Sequence, residues 1–292
     1  MTETLENCPV CSGPHQAFES WLDSEQALAY RVCERCGLVF QSPRMSESEL
    51  ASFYAQGYRT LVQGTESITD KDLRIQTGRA RHLIEVLQHL RILPTEHLDI
   101  GASSGILLQQ SRSTFEANVV GVEPGQEYRA SAVELGLEYH AGLDEISPQQ
   151  QFDLISMIHV LEHLPDPVDY LTQLRKGYLK SKGTLLLEVP NLFGHSSYEV
   201  SHLTAFSSQS LRRCLNLAGF KVITSFTHGK PRSPILRLYL TILAQPSEME
   251  VDPAAWRANL WLIHQRRAFG TWFRNMMSYR LPNWTWKEYP EL

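Results

Sequence analysis

The stretch His97-Leu-Asp-Ile-Gly-Ala-Ser-Ser-Gly105 has the form of a short apolar strand, a glycine-containing turn and the start of a helix. The next apolar run, Val119-Val-Gly-Val-Glu123, ends in an acid. Glycines allow a sharp turn and a close approach of the backbone to a ligand, and an acid at the end of the second strand suits a ribose diol. The pair of segments therefore predicts a nucleoside-binding α/β fold.

Strands and helices alternate on the C-terminal side of this stretch. The apolar patterns predict strands at 96–100, 118–122, 137–140, 152–158, 184–189, 220–226 and 235–243. Helical segments between them favour a parallel, doubly wound sheet, and the short connection between the last two strands favours an antiparallel hairpin. The predicted fold class is α/β, with a Rossmann-like, seven-stranded and mostly parallel sheet. A helix is predicted at 72–93 before the first strand, with Pro94 ending it.

Four of the five cysteines form two Cys-x-x-Cys pairs near the N-terminus: Cys8, Cys11, Cys33 and Cys36. Thiolates three positions apart on a tight turn can bind one ion, and two such turns supply the sulfurs of a closed tetrahedral site. This pattern predicts a zinc ribbon with a structural Zn2+; reduced or redox-active thiols are the alternative. Cys214 stands alone on an apolar helix face and is predicted to be a core residue.

The sequence divides into four predicted segments: a ribbon at 1–43, a helical cover at 44–95, a cofactor-binding core at 96–245 and a helical extension at 246–292. The extension is rich in aromatic residues. It is predicted to pack on the flank of the core, and the alternatives are a homodimer contact or a wall of the substrate pocket.

Composition excludes some classes of protein. The net charge of −5 disfavours a dedicated nucleic-acid binder, which usually has a basic face. No apolar run approaches the roughly 18 residues that a membrane span requires. The N-terminus is acidic and polar and lacks the apolar core of a secretory signal. A cytoplasmic protein is therefore expected.

Residues 96–243 resemble a class I S-adenosylmethionine-dependent methyltransferase. The motifs that carry the resemblance are Leu98-Asp-Ile-Gly-Ala-Ser-Ser-Gly105, Val120-Gly-Val-Glu-Pro124, Phe152-Asp-Leu-Ile-Ser-Met-Ile-His-Val-Leu-Glu-His-Leu-Pro-Asp-Pro167 and Gly183-Thr-Leu-Leu-Leu-Glu-Val-Pro-Asn191. Ser103 stands where many relatives have glycine, and serine is expected to keep the turn because it is small. A dehydrogenase is disfavoured, since the Gly-x-Gly-x-x-Gly spacing of dinucleotide sites is absent.

The resemblance implies a set of S-adenosylmethionine contacts, which comprises Asp99, Gly101, Ala102, Ser103, Gly105, Glu123, Pro124, Leu143, Asp144, His159, Tyr54 and Tyr58. Asp99 would hold the ammonium group, and Glu123 would accept both ribose hydroxyls, because two carboxylate oxygens match a vicinal diol. Leu143 and Asp144 would lie at the adenine edge. Tyr54 and Tyr58 would cover the cofactor, or are plain core aromatics.

Methyl transfer is an in-line displacement, so a hydroxyl or carbon-acid acceptor needs a base to remove its proton. The candidates for catalysis are His202, His163 and Glu199. The segment Ser201-His-Leu-Thr-Ala-Phe-Ser207 resembles a His-x-x-x-Phe-Ser segment of small-molecule methyltransferases, in which the histidine faces the substrate. His163 is either a base or a residue that shapes its loop. Asn191 and His195 are interpreted as substrate contacts.

The ribbon, the segment Val39-Phe-Gln-Ser-Pro43 and the core together resemble sugar C-methyltransferases that act on nucleotide-linked deoxysugars. Those enzymes continue into a larger C-terminal domain, so O- or N-methylation of a sugar or natural product is equally open. The expected partner is thus a small-molecule acceptor. Two alternatives remain: an RNA base methyltransferase with a zinc module, and an inactive methyltransferase fold that serves as a binding protein.

Overall fold

The computed structural model describes residues 2–23, 26–46, 48–50, 53, 69–195 and 198–287. The strands are β1 (His15–Asp23), β2 (Gln26–Cys33), β3 (Val39–Gln41), β4 (Glu96–Ile100), β5 (Asn118–Val122), β6 (Glu138–His140), β7 (Phe152–Ile158), β8 (Leu179–Pro190), β9 (Thr204–Ala205), β10 (Phe220–His228) and β11 (Tyr239–Pro246). The α-helices are α1 (Asp70–His89), α2 (Ile106–Phe115), α3 (Gln126–Glu134), α4 (Pro167–Gln173), α5 (Ser208–Leu217), α6 (Leu260–Arg280) and α7 (Pro282–Thr285).

In the described part of the chain, seven strands form one sheet in the order β10-β11-β8-β7-β4-β5-β6. Strands β8, β7, β4, β5 and β6 are parallel, and β11 is antiparallel to both of its neighbours. The predicted fold class and the antiparallel hairpin are confirmed. Asp99 on β4 pairs with Ser156 on β7 and with Gly121 on β5, so the carboxyl ends of these strands meet at one edge. Ligands of open α/β sheets bind at this edge.

The central strands are buried and rich in apolar residues because both faces of the sheet are covered. On one face, Leu185 and Leu187 of β8 pack in a cluster with Leu211 of α5. On the other face, Leu186 packs with Leu83 of α1. The same alternation along one strand therefore fixes both the sheet and the helices that flank it. Cys214 is fully buried on α5 and belongs to the first of these clusters.

Some predicted boundaries are wrong. Helix α1 begins at Asp70, where the hydroxyl of Thr69 caps it, and ends at His89. Pro94 lies beyond this end and therefore does not terminate the helix. The predicted last strand at 235–243 is observed at Tyr239–Pro246, with Tyr239 opposite Pro190 of β8. The residues just before Tyr239 instead form a separate apolar cluster beneath α6. Apolar alternation in the sequence could not distinguish these two environments.

A second, antiparallel sheet in the described residues has the order β1-β2-β3-β9. Its first three strands come from the cysteine-containing N-terminus, whereas β9 belongs to the connection between β8 and α5. Val39 pairs with Ala205, and Phe40 pairs with Thr204. The N-terminal module is therefore joined through a shared sheet to the connection that contains His202.

Helix α6 packs against the same connection. Arg267 is buried, and its guanidinium donates to the carbonyl oxygens of Leu192, at 2.7 Å, and His195. Gly270 leaves no room for a side chain, because a Cβ there would collide with the carbonyl of Phe193. These contacts agree with the predicted packing on the flank of the core, while the homodimer and the four segment boundaries stay predictions. No helix in the described ranges is long and apolar enough to cross a membrane.

Candidate active site

The turn after β4 needs left-handed backbone at three positions. Gly101 has φ +69°, Ser103 +48° and Gly105 +76°. At Gly101 a Cβ would also collide with Val160, so glycine is required both by conformation and by space. Ser103 keeps the turn, as expected, but it does so in a conformation that costs a non-glycine residue about 1–2 kcal/mol.

Gln76 of α1 forms hydrogen bonds with two serines of this turn. Its amide nitrogen donates to Ser103 Oγ at 3.3 Å, and its amide oxygen accepts from Ser104 Oγ at 2.5 Å. Gln76 could not be predicted from the sequence, because a polar residue on a helix is usually solvated. Two adjacent serines in a turn that normally contains glycine were the available signal that a polar partner lies nearby.

Glu123 lies at the end of β5 and is buried, with 4% of its surface exposed. Its two carboxylate oxygens accept hydrogen bonds from the backbone N–H groups of Ser103 and Gly125, each at 2.9 Å. These bonds orient the carboxylate at the mouth of the β4 turn. The structure thereby brings Glu123 and the turn residues together, as the motif predicted.

Asp99 is buried at the same edge and accepts a hydrogen bond from Ser156 Oγ at 2.5 Å. Ser156 is itself held by His97, whose Nε2 lies 2.7 Å from the hydroxyl. Burial raises the pKa of Asp99 to about 7, and the neighbouring carboxylate of Glu123 adds to the rise. A cation beside Asp99 would therefore strongly favour its ionised form.

The remaining predicted cofactor contacts lie around this edge. Leu143 and Asp144 form a short 3-10 turn after β6, where the carbonyl of Leu143 accepts from Tyr178 Oη at 2.9 Å and Asp144 is exposed. Ala102 is buried in the turn and Pro124 is exposed beside Glu123. Tyr54 and Tyr58 lie outside the described residues.

His159 follows β7 and has left-handed backbone, with φ +58°. Its ring lies between charged side chains. Its Nδ1 lies 3.3 Å from Glu162 Oε1 and its Nε2 lies 3.5 Å from Glu188 Oε1. Burial and Arg79 oppose protonation, but the two carboxylates prevail and raise the pKa of His159. Arg79 of α1 pairs with Glu188 at 3.0 Å. Glu162 and Glu188 belong to the fourth- and fifth-strand motifs, and nothing in the sequence alone indicated a role for either.

The three predicted catalytic residues are neighbours. His202 Nε2 lies 3.4 Å from Glu199 Oε2, and the ring of His202 lies 4.8 Å from that of His163. His163 Nδ1 is 2.9 Å from the carbonyl oxygen of Ser201, so this histidine also shapes the loop. Glu162 brings a carboxylate within 4.8 Å of both rings. The cluster therefore continues from His159 at the end of β7 to His202.

The pKa values in this cluster follow from burial and charge. Burial lowers the pKa of His202 to about 3, and His163 contributes to the decrease. Glu162 is buried, which opposes ionisation, yet the hydrogen bond of His159 and the charge of His163 lower its pKa to about 2. Near neutral pH, Glu162 is an anion and His202 is an uncharged imidazole.

The N-terminal module supports the loop that carries His202. Gln41 is buried, and its amide nitrogen donates to the carbonyl oxygens of Glu199, at 2.9 Å, and His202, at 2.8 Å. Tyr30 stacks on Tyr198 with ring centroids 3.9 Å apart. The position of His202 thus depends on residues more than 150 positions earlier in the chain.

The four N-terminal cysteines converge as the spacing predicted. Cys8 Sγ lies 3.5 Å from Cys36 Sγ, Cys11 Sγ lies 3.4 Å from Cys33 Sγ, and all four sulfurs are within 4.8 Å of one another. Tetrahedral zinc with bonds of about 2.3 Å would place its sulfurs about 3.8 Å apart. Backbone N–H groups also turn toward the cluster, since Cys36 N donates to Cys33 Sγ at 3.3 Å. The donor set and its size fit Zn2+.

The sequence matches a family model described as a methyltransferase domain over residues 73–225, just over half of the chain. It is 32% identical over 119 residues to the tRNA U34 carboxymethyltransferase of Actinobacillus succinogenes, covering 35% of each chain. It is 31% identical over 101 residues to the ubiquinone biosynthesis O-methyltransferase of Bradyrhizobium diazoefficiens, covering 32% of this chain and 39% of the relative. The matched segment thus spans little more than a third of these curated relatives.

Solved structures share the fold. The 1,6-didemethyltoxoflavin-N1-methyltransferase of Burkholderia thailandensis, solved with its acceptor and S-adenosylhomocysteine, has a TM-score of 0.58 at 19% identity and covers 79% of this chain and 100% of that one. The plantazolicin methyltransferase BpumL has a TM-score of 0.52 at 13% identity, covering 68% and 94%. By its sequence the chain belongs to the methyltransferase domain family, and its sheet has the class I fold of S-adenosylmethionine-dependent methyltransferases.

Proposed function

We propose that this protein transfers the methyl group of S-adenosylmethionine to a small-molecule acceptor, a sugar or a natural product, with His202 as the general base. The observation that carries the proposal is the convergence of two groups at one edge of the sheet. The β4 turn with Asp99 and Glu123 forms one group. The loop with His202 forms the other, and it is connected to the end of β7 through Glu162 and His159.

The cofactor would occupy the β4 turn. When bound, S-adenosylmethionine supplies a methyl group on a sulfonium that is already a good leaving group. Glu123 is oriented by two backbone N–H groups so that its carboxylate can accept the ribose hydroxyls. Asp99 would pair with the ammonium group of the cofactor. Gly101 and Gly105 would allow the backbone to lie against the methionine portion and the ribose.

The imidazole of His202 is uncharged near neutral pH, so one ring nitrogen has a lone pair that can accept a proton. Burial makes the ring a weak base in the free protein, and general-base catalysis requires that its pKa rise toward neutrality when the acceptor binds. Glu199 lies 3.4 Å from Nε2 and would stabilise the imidazolium that forms when an acceptor hydroxyl or carbon acid loses its proton. Gln41 holds the backbone carbonyl of His202, so the base is positioned before the acceptor binds.

A small acceptor is favoured over RNA, although several relatives modify tRNA. RNA binding depends on phosphate contacts from basic side chains, and this chain has a net charge of −5. The resemblance of the ribbon, the segment 39–43 and the core to sugar methyltransferases supports a sugar acceptor, and the resemblance of the His202 loop to small-molecule methyltransferases supports a small acceptor. The intact Asp99 and Glu123 oppose a merely structural role.

The function is tested by calorimetry and by a methyl-transfer assay. Purified protein should bind S-adenosylmethionine, and formation of S-adenosylhomocysteine should depend on an acceptor from a panel of keto-sugar nucleotides, sugars, phenols and nitrogen heterocycles. Total tRNA forms a separate arm of the same assay. Turnover with tRNA but with none of the small molecules would show that the acceptor is RNA. Absence of cofactor binding would overturn the proposal altogether.

We expect one Zn2+ per chain, bound by the four cysteines and structural in role, because every ligand position is filled by a thiolate. Elemental analysis of Cys36→Ala should show loss of the metal, together with a lower melting temperature. Turnover should also fall, because β3 of the ribbon carries the support for the His202 loop. Cys214→Ala is the matched control, since this buried cysteine lies outside the cluster and should leave the zinc content unchanged.

The affinity for S-adenosylmethionine should increase as the pH rises from 6 to 8. The pKa of Asp99 is about 7 in the free protein, above its ordinary value of 3.8, so pairing with the cofactor's ammonium releases a proton in this range. Linkage limits the gain to about tenfold per pH unit. The stability of the free protein should change in the opposite direction. Its free energy of unfolding should decrease as the pH rises from about 4 to 7, because Asp99 binds more protons in the folded state than in the unfolded state over this range. Titration calorimetry should give a flat profile for Asp99→Asn; an equally steep profile for this variant would contradict the assignment.

A further inference from the structure

A cavity of about 610 Å³ lies between α6, the start of α5 and the segment that follows β8. This volume is within the range of small-molecule sites, which is roughly 300–1,000 Å³. The cavity is separate from the β4 turn, and the proposed cofactor contacts do not line it. It therefore has room for a ligand other than the methyl donor.

The charges that line the cavity have one sign. Arg237, Arg266 and Arg274 all border it, and the residues that line it include no aspartate or glutamate. Among the described residues, no carboxylate pairs with any of these three arginines. In a protein with a net charge of −5, three guanidiniums that border one cavity and have no ion-pair partner among the described residues indicate an anionic ligand.

Arg274 provides the most specific observation. Its Nη1 is buried and has no hydrogen-bond partner in the part of the chain that the structure describes. Its guanidinium stacks on Trp286, 5.2 Å from the ring centroid, which fixes the direction of the group. Because Nη1 has no accessible surface, Arg274 would act on an anion in the cavity through its charge and not through a hydrogen bond from this atom. Burial lowers the pKa of Arg274, and the nearby charge of Arg232 adds to the decrease.

The walls also include apolar rings. Phe193, Phe269 and Phe273 line the cavity, and Arg266 lies over the ring of Phe193 at 5.1 Å. Uncharged polar residues, among them Ser208, Gln209 and Thr227, also line it. Such a combination fits a ligand that has an anionic group beside a ring. A phosphate ester carries nearly two negative charges at pH 7, compared with one for a carboxylate, and therefore matches three guanidiniums better.

The cavity is next to the proposed site of methyl transfer. Asn191, directly after β8, borders the cavity and also a void of about 20 Å³ that His202 and His195 line. Asn191 therefore forms a wall that the cavity shares with the void beside His202. Resting on the proposed function, we infer that this cavity binds the phosphate-bearing portion of the acceptor and so selects phosphorylated acceptors.

Titration calorimetry of the full chain tests the inference with phenyl phosphate and benzoate, which share a ring but differ in charge. Phenyl phosphate should bind, and benzoate should bind about tenfold more weakly, because it makes fewer charge-assisted hydrogen bonds. Arg274→Gln and Arg266→Gln should each weaken phenyl phosphate about tenfold, a loss of about 1.4 kcal/mol. Arg266 is exposed, so its variant keeps the test valid if Arg274→Gln unfolds.

Arg212→Gln is the matched control, since it removes the same charge from the exposed face of α5, outside the cavity. Absence of phenyl phosphate binding, or an equal loss in Arg212→Gln and the cavity variants, would overturn the inference. Binding of S-adenosylmethionine is measured on the same samples. If the wild-type protein binds S-adenosylmethionine but not phenyl phosphate, only the cavity assignment is refuted. If it does not bind S-adenosylmethionine, the proposed function is refuted.

Discussion

Glu123→Ala is expected to abolish detectable binding of S-adenosylmethionine. The carboxylate is the proposed acceptor for both ribose hydroxyls, and hydrogen bonds to a charged group contribute roughly 1.5–3 kcal/mol each. Two such bonds correspond to a loss of roughly a hundredfold or more in affinity. Titration calorimetry measures this loss directly, and an unchanged affinity would remove Glu123 from the site.

Glu123→Ala is also expected to lower the stability of the protein. Alanine leaves the backbone N–H groups of Ser103 and Gly125 without the acceptor that Glu123 provides, at about 1–3 kcal/mol for each buried donor. Glu123→Gln keeps the volume and one acceptor oxygen, so it should weaken binding with less unfolding. Glu127→Gln, on the exposed first turn of α3, is the control for removal of one negative charge. Melting curves of all three separate lost binding from lost folding.

His202→Gln is expected to lower kcat by roughly 100-fold to 10,000-fold, the range for loss of a general base. The affinity for S-adenosylmethionine should stay the same, because His202 belongs to the loop before α5 and the cofactor contacts belong to the β4 turn. The assay is single-turnover formation of S-adenosylhomocysteine with the acceptor found in the panel. A normal kcat would show that another residue is the general base, and His163 would be the next candidate.

His89→Gln serves as the control, since His89 is exposed at the end of α1. Gln41→Leu provides a second comparison for the same step. It removes the hydrogen bond to the carbonyl of His202 but keeps the imidazole, so it should give a smaller decrease in kcat than His202→Gln. A decrease of equal size would show that positioning of the loop, and not proton transfer by the ring, accounts for the effect.

Much of the fold follows from local pattern. The central parallel strands β4, β5, β7 and β8 are largely buried, so their apolar residues were visible in the sequence, and the glycine turn with its downstream acid marked the β4–β5 edge. The cysteine spacing likewise predicted a cluster, since each pair is brought together by its own turn. The limits of α1 and β11 were misplaced, because the same apolar periodicity is compatible with a strand and with a segment packed beneath a helix.

By itself, the sequence determined the class I fold, the order of its motifs and the residues that form the β4 turn, because contacts between neighbouring strands repeat with short and regular spacing. Only the tertiary structure decided what holds His202, what faces His159 and where three arginines meet. Gln41, Glu188 and Arg274 contribute through contacts between distant parts of the chain, and no local pattern of polarity distinguishes such residues from solvated ones. The glycine turn of β4 is thus encoded locally, while the proposed acceptor side of the site exists only after the ribbon, the connection after β8 and α6 have packed together.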